Sequence, residues 1–348
     1  MRGLWVACLP WLVACGFHSS ATAVDASEDA AETPMVDASL CFDGFTRVCL
    51  QALPTTPLVV GADMTINTAT GCAATTMGTA SGVCVVAATA IEVRSGATLL
   101  ATGPVPLVLL ATSSIVVAGT LDGASHRGGT TGPGANPDAC RTGTAPTLAS
   151  GSGGGGYGGT FATVGGDGGD SMGRGAKGIA PTTADMPATL RGGCPGVAGA
   201  GPNPGAPGAG GGAVELNAAS IMVSGRVNAS GAGAQGGTNG DSGGGGGGSG
   251  GMIVFDTAML AAPGMVMVQG GGGGGGSGGA GSGAPGADPA QAGVAAAPGD
   301  GYHVDGGTAG KGGTGAIAGD AGDAETGNLI GGGGGGGGAG VKRSGPPG

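Results

Sequence analysis

Ninety of the 348 residues are glycine, roughly four times the usual share, and no strict Gly-X-Y period accompanies them, which excludes collagen. A net charge of −10 with only twelve Lys and Arg removes the electrostatic footprint of a nucleic-acid binder. Both tryptophans, Trp5 and Trp11, fall near the N-terminus, and the seven other aromatics are too few to build stacking platforms for bases or sugars.

The chain begins MRGLWVACLPWLVAC. A short apolar stretch after Arg2 is too brief to span a bilayer and matches a secretory signal over residues 1–14. Leu12-Val13-Ala14-Cys15 fits the bacterial lipobox, so Cys15 is the expected lipidated N-terminus, anchored to a membrane through its acyl chains. Residues 15–40 carry five acids and no Lys or Arg. Low hydropathy and one-signed charge make this stretch a disordered tether, reaching roughly 25–30 Å as a flexible coil. Six further cysteines, an even number in an exported chain, read as disulfides. Their spacing lacks a paired CxxC, and loop closure favours near neighbours: Cys41–Cys49, Cys72–Cys84 and Cys140–Cys194.

Residues 41–82 form a disulfide-containing cap, in which PLVVGADMTINTATG (57–71) is a candidate first strand layer. Beyond it lie four internally similar segments, at 83–93, 107–125, 213–231 and 252–270, which align without gaps. The alignment stacks Cys84, Val108, Val214 and Ile253 in one column and Val86, Leu110, Leu216 and Phe255 in the next. Ile91, Ile115, Ile221 and Leu260 follow, then Val93, Val117, Val223 and Ala262, then a glycine and a last inward residue (Leu121, Val227 or Val266). Alternation at period two puts each column on one side of the strands. The pattern predicts an all-β fold, a parallel β-helix (β-solenoid), with two rungs in 83–125, a third in 213–231 and a fourth in 252–270. An antiparallel sandwich is the competing reading.

Glycine-rich excursions occupy 126–212, 232–251 and the C-terminal region 271–348. Two accounts stand. Disorder is one, because ordering glycine costs more backbone entropy than ordering any other residue. A bundle of polyglycine II helices is the other, since only glycine lets such helices approach on all sides. Within these regions GGDGGDSMG (165–173) fits a calcium-binding nonapeptide. Asp167 and Asp170 are therefore candidate Ca²⁺ ligands, weighed against plain solubilising acids. Tyr302, His303 and Asp305 form a candidate recognition turn, weighed against a plain turn. Two GxSxG matches, around Ser249 and Ser277, lie in glycine runs rather than between a strand and a helix. With three histidines in the chain, acid–base chemistry has little to work with, and the expectation is a protein that is not an enzyme.

The strand segments, taken with CFDGFTRVCL (41–50) and RGGTTGPGANPDAC (127–140), resemble a group of glycine-rich exported lipoproteins of Gram-negative bacteria. The resemblance covers residues 41–340; that group is mostly without assigned function. A looser, compositional likeness is to PE-PGRS-type glycine-rich surface proteins and to phage tail-tip adhesins. The resemblance implies a further strand after the last glycine run, where AGVKRSGPPG begins one with Val341 in the Val214 column and Arg343 in the Leu216 column. The expected function is a lipid-anchored structural or adhesive protein of the cell envelope, at the outer membrane or cell surface. Its partners would be the membrane and a surface polymer or another cell, and the alternative is a module binding calcium or a surface polymer.

Overall fold

Strand-forming runs of Val, Ile, Leu and Met alternate in this chain with stretches that offer almost no side chains, and the two kinds of segment pack in different ways. The computed structural model describes residues 40–72, 82–171, 174–279, 281–302, 318–323 and 331–345, all within one unit, Ala38–Gly348. The signal, Cys15 and most of the tether lie outside the described residues.

The strands are β1 (Cys41–Phe42), β2 (Val48–Cys49), β3 (Leu58–Val60), β4 (Met64–Asn67), β5 (Cys84–Val93), β6 (Thr98–Thr102), β7 (Leu107–Val117) and β8 (Thr120–Asp122). After them come β9 (Leu148–Ala149), β10 (Ser152–Gly153), β11 (Ala213–Asn217), β12 (Ser220–Val223) and β13 (Arg226–Asn228). The last are β14 (Met252–Asp256), β15 (Met259–Ala261), β16 (Met265–Met267) and β17 (Val341–Gly345). Eight of them form one parallel sheet: β15-β12-β7-β11-β14-β17, with β5 also on β7 and β3 on β5. A second parallel sheet of five runs β16-β13-β8-β6-β4. Strands β1 and β2, and β9 and β10, form two small antiparallel pairs.

The all-β class holds; the expected β-helix does not. Among the described residues the strands form separate open sheets, with no closed coil linking them. Short links carry the chain through the sheets within β3–β4, β5–β8, β11–β13 and β14–β16. The later passages, from β8 to β11, from β13 to β14 and from β16 to β17, leave the sheets for long glycine-rich stretches. The columns read from sequence report which strands are neighbours. They carry no information on whether the intervening chain closes a turn.

Register follows the columns in part. Ile221 lies between Ile115 and Leu260, and Val227 between Leu121 and Val266. Val214, however, pairs with Leu107 rather than Val108, and Leu216 with Leu109 rather than Leu110. The cause is an irregularity in the β5–β7 pairing between Ala88 and Ala90, an extra residue that shifts half of β7. One residue of slip turns every side chain to the other face. Leu107 and Leu109 therefore join the core between the two sheets, with Ile91, Leu99, Ile115, Leu121, Leu216 and Phe255. Val108 and Leu110 go instead to a second core on the outer face, with Val85, Met252 and Val254. The final strand is displaced likewise: Val341 pairs with Met252, and Arg343 with Val254. Arg343 thus takes an outward position rather than the Leu216 column.

At the bend after Val117, Val223 and Ala262 the column glycines stack. A Cβ on Gly225 would strike the Gly119 carbonyl, and one on Gly264 the Gly225 carbonyl. That contact is why glycine recurs there. The segment 57–71 does supply β3 and β4, which lie at one edge of each sheet.

The glycine-rich stretches are bonded to one another through their backbones. Segment 243–251 is the clearest case. Gly243, Gly246 and Ser249 donate to Ala200, Val197 and Cys194; Gly244, Gly247 and Gly250 donate to Gly332, Gly335 and Gly338. Gly245, Gly248 and Gly251 donate to Gln235, Ala232 and Ala229. On its carbonyls the same segment receives Gly205, Gly208 and Gly211, then Gly156 and Gly159, then Gly274 and Gly271. Each successive residue addresses a new neighbour, and every third returns to the same one, as an extended helix of three residues per turn requires. One rod thus has six lateral partners. A Cβ at Gly244, Gly246 or Gly247 would land on the carbonyl of an adjacent rod, so backbone packs directly on backbone. The Cys140–Cys194 disulfide staples this region, and Cys41–Cys49 and Cys72–Cys84 are also joined, as the spacing predicts.

Candidate functional site

The outer face of the large sheet carries two acids where its neighbours in the same rows are mostly aliphatic. In the parallel pairing of β11 with β14, Glu215 stands opposite Val254 and Asn217 opposite Asp256. On its other side Glu215 stands opposite Val108. The hairpin of β1 and β2, closed by Cys41–Cys49, lies over this spot, with Val48 and Leu50 packed into the outer core. Its tip meets the acids directly: Phe45 N–H donates to Asp256 Oδ2 (2.6 Å) and Thr46 N–H to Glu215 Oε1 (3.1 Å). Glycine at position 44 lets the tip sit this close: a Cβ there would lie 2.6 Å from Asn217 Nδ2 and closer still to the Asp256 carboxylate, and both side chains would have to shift. Phe45 in turn carries the Arg343 guanidinium over its ring at 4.9 Å, while Arg343 donates to Pro187 O at 3.0 Å.

The electrostatics follow from the cover. Glu215 is fully buried, and its Oε2 and the Asn217 Nδ2 have no hydrogen-bond partner. Burial pushes the Glu215 carboxyl up to about 7; the Thr46 bonds oppose this and the nearby Asp256 charge adds to it. Burial also raises Asp256, against the Phe45 N–H. A cleft of about 320 Å³ opens beside the pair, lined by Gly44, Phe45, Asp256, Arg343 and Ser344.

A second cluster joins the small sheet to a distant glycine-rich turn. His126 Nε2 lies 3.0 Å from Asp122 Oδ2 at the end of β8, and Nδ1 lies 3.7 Å from Asp288 Oδ2. The hydrogen bond to Asp122, then that to Asp288, lifts His126 to about 10 against the opposing effect of burial. For Asp288 burial pushes upward, but His126 and the N–H groups of Gly233 and Arg127 outweigh it and hold the carboxyl below its ordinary value. The adjacent Ser125 hydroxyl is turned elsewhere, donating to Gly210 O. The arrangement is a charged staple and sets no nucleophile beside the imidazole.

The residues singled out from sequence fall as follows. Asp167 accepts from Ala180 N–H at 2.9 Å and pairs with Lys177 Nζ at 3.2 Å; Asp170 accepts from Lys177 N–H at 2.9 Å. Both carboxylates thus fasten the turn through 177–180, and Met172 of the nonapeptide lies outside the described residues. Among the described residues no three His, Cys, Asp or Glu side chains are grouped as a metal site. Tyr302 donates its N–H to Gly276 O at 3.0 Å, and its ring lies where a Cβ on Gly281 would be; His303 and Asp305 lie outside the described residues. Ser249 and Ser277 are buried, and their hydroxyls serve the backbones of Cys194, Gly240 and Ser242.

No protein-family model, curated protein or solved structure matches this chain. The site rests on its own geometry. Sequence reasoning missed Glu215, Asp256 and Asp288. Only Asp256 had a signal: it falls in one column of the repeat alignment with Asn217, polar against polar, on strands otherwise aliphatic.

Proposed function

We propose that the protein is a non-catalytic structural or adhesive component of the cell envelope, anchored through a lipid on Cys15. In this reading residues 16–40 are the tether and the glycine-rich rods are a rigid display body. The observation that carries it is the bonding of segment 243–251, in which every residue donates laterally to one of three neighbouring chains. A body whose interior is backbone alone has few side chains inside with which to build a catalytic pocket. Its side chains sit at the margins, as Ile179, Met186 and Val294 do, and loops on a rigid scaffold are where recognition is placed.

Acyl labelling of cells expressing the full chain tests the anchor, with Cys15→Ser as the control. Protease treatment of intact against lysed cells tests display. Label lost in the Cys15→Ser variant and cleavage in intact cells support the reading. An unlabelled chain removes the anchor, and protection until lysis removes the adhesive role.

A further inference from the structure

We propose that the disulfide-closed hairpin Cys41–Cys49 is a proton-gated clasp, seated on the large sheet while Glu215 is protonated and lifting as a unit when Glu215 and Asp256 are both charged.

The geometry is that of a lid on a charge. Glu215 is fully buried, has one N–H donor, Thr46, on Oε1, and has no partner on Oε2. Its row neighbours Val108 and Val254 offer nothing to a carboxylate. The charged groups of the surrounding elements are engaged elsewhere or repel it. On the hairpin, Asp43 and Arg47 pair with each other at 3.0 Å, both exposed. On β17, Arg343 is held by the Phe45 ring and Pro187 O, and Lys342 is exposed on the opposite alternation. Beyond the hairpin, Arg191 pairs with Asp185 and lies over Phe161. On β14, Asp256 carries the same sign as Glu215. In place, a charge on Glu215 is relieved only by the Thr46 bonds, which its burial outweighs; water would relieve it further, and the hairpin tip covers the site.

The hairpin is built to move whole. Its two ends are tied together by Cys41–Cys49 and by Leu50 N–H on Leu40 O. The chain that follows, Gln51-Ala52-Leu53, is exposed up to the next fastening, Thr89 N–H on Thr56 O. The sign of the effect follows from the raised carboxyl. Seating is fully favourable below about 4.5, the ordinary value for Glu, and is lost as pH rises through about 7. Lifting would uncover Val108, Leu110 and Val254 and lengthen the path from the N-terminal segment to the body. That added reach rests on the anchored reading above; the clasp itself does not.

Hydrogen exchange by mass spectrometry on the disulfide-intact full chain, corrected for the intrinsic pH dependence, tests this. Protection at Phe45 and Thr46 is expected to fall by roughly two orders of magnitude between pH 4.5 and 8, while β7 stays protected. In Glu215→Gln most of the fall is expected to be gone, leaving only the smaller share of Asp256, which burial also raises. In Asp256→Asn the fall is smaller, because the like charge is gone. Wild-type protection that does not change with pH overturns the clasp, as does an equal fall in Glu215→Gln. Should that variant lose β7 protection as well, Asp256→Asn decides: an undiminished fall overturns the proposal. Failure of acyl labelling at Cys15 would leave all these outcomes unchanged.

Discussion

Alanine in place of Gly247 tests the rod packing most sharply. Gly247 N–H donates to Gly335 O, and its own carbonyl receives Gly159 N–H, both within 2.9 Å. A Cβ at this position would lie 2.7 Å from the Gly271 carbonyl carbon and 2.9 Å from Gly272 O, and nearer still to Gly271 O. All three are backbone atoms of a rod bonded on its other sides, so no rotamer change can relieve the clash. Overpacking by one carbon costs about 1–3 kcal/mol in ordinary cores, where side chains can yield; here the upper end applies. Against this, alanine lowers the entropy of the unfolded chain, a gain of about 0.4–1 kcal/mol. The net expectation is a loss of about 2 kcal/mol, or a fall of about 3 °C in Tm by calorimetry for a unit of this size. Gly61→Ala is the matched control. The nearest atoms there belong to the Arg94 side chain at 3.9 Å, so the entropic gain should appear alone as a neutral or slightly raised Tm. Equal melting of Gly247→Ala and wild type would refute backbone-on-backbone packing.

Replacing Cys140 and Cys194 by serine removes a cross-link between residues 54 apart in sequence. Loop-closure entropy puts the loss at about 4 kcal/mol, and the check is urea unfolding together with faster proteolysis in 141–193; unchanged proteolysis there would mean that the rods hold without the staple. His126→Gln should destabilise the chain at pH 7 and be nearly neutral well above pH 10. The raised imidazole contributes fully below about 6.5 and loses its contribution as pH rises through about 10. Because the side chain is 39% exposed, screening reduces the effect to about 1 kcal/mol, read as the pH dependence of the Tm difference between variant and wild type.

Much of the sheet architecture was legible because aliphatic columns are a direct record of which strands face one another. Ile115, Ile221 and Leu260 share a column in both the alignment and the structure, as do Leu121, Val227 and Val266. What the columns could not record was the extra residue in β7. It leaves the local alternation of Leu107-Val108-Leu109-Leu110 unchanged, because all four are aliphatic and either pair suits the core. The same one-residue ambiguity misplaced Val341 and Arg343. The acids were illegible for a different reason. Glu215 sits on the outward phase of an alternating strand, which ordinarily means solvent, and only the folding back of residues 41–50 makes that phase an interior. Asp288 reaches His126 from across two glycine stretches, a pairing that no local pattern announces. The closed coil was inferred from strands alone, and the glycine chains, which decide closure, bond among themselves instead.

The three-residue return of the lateral bonds sets a rule for chain length. Gly244, Gly247 and Gly250 all reach one neighbour because three residues complete a full rotation. Three residues inserted within such a rod would bring every later N–H back to its own partner. One or two would turn the rest of the rod by about a third or two-thirds of a rotation and aim each donor at the wrong chain. Length variation inside these segments should therefore be tolerated in multiples of three, a reading frame written in residues and enforced by the lattice.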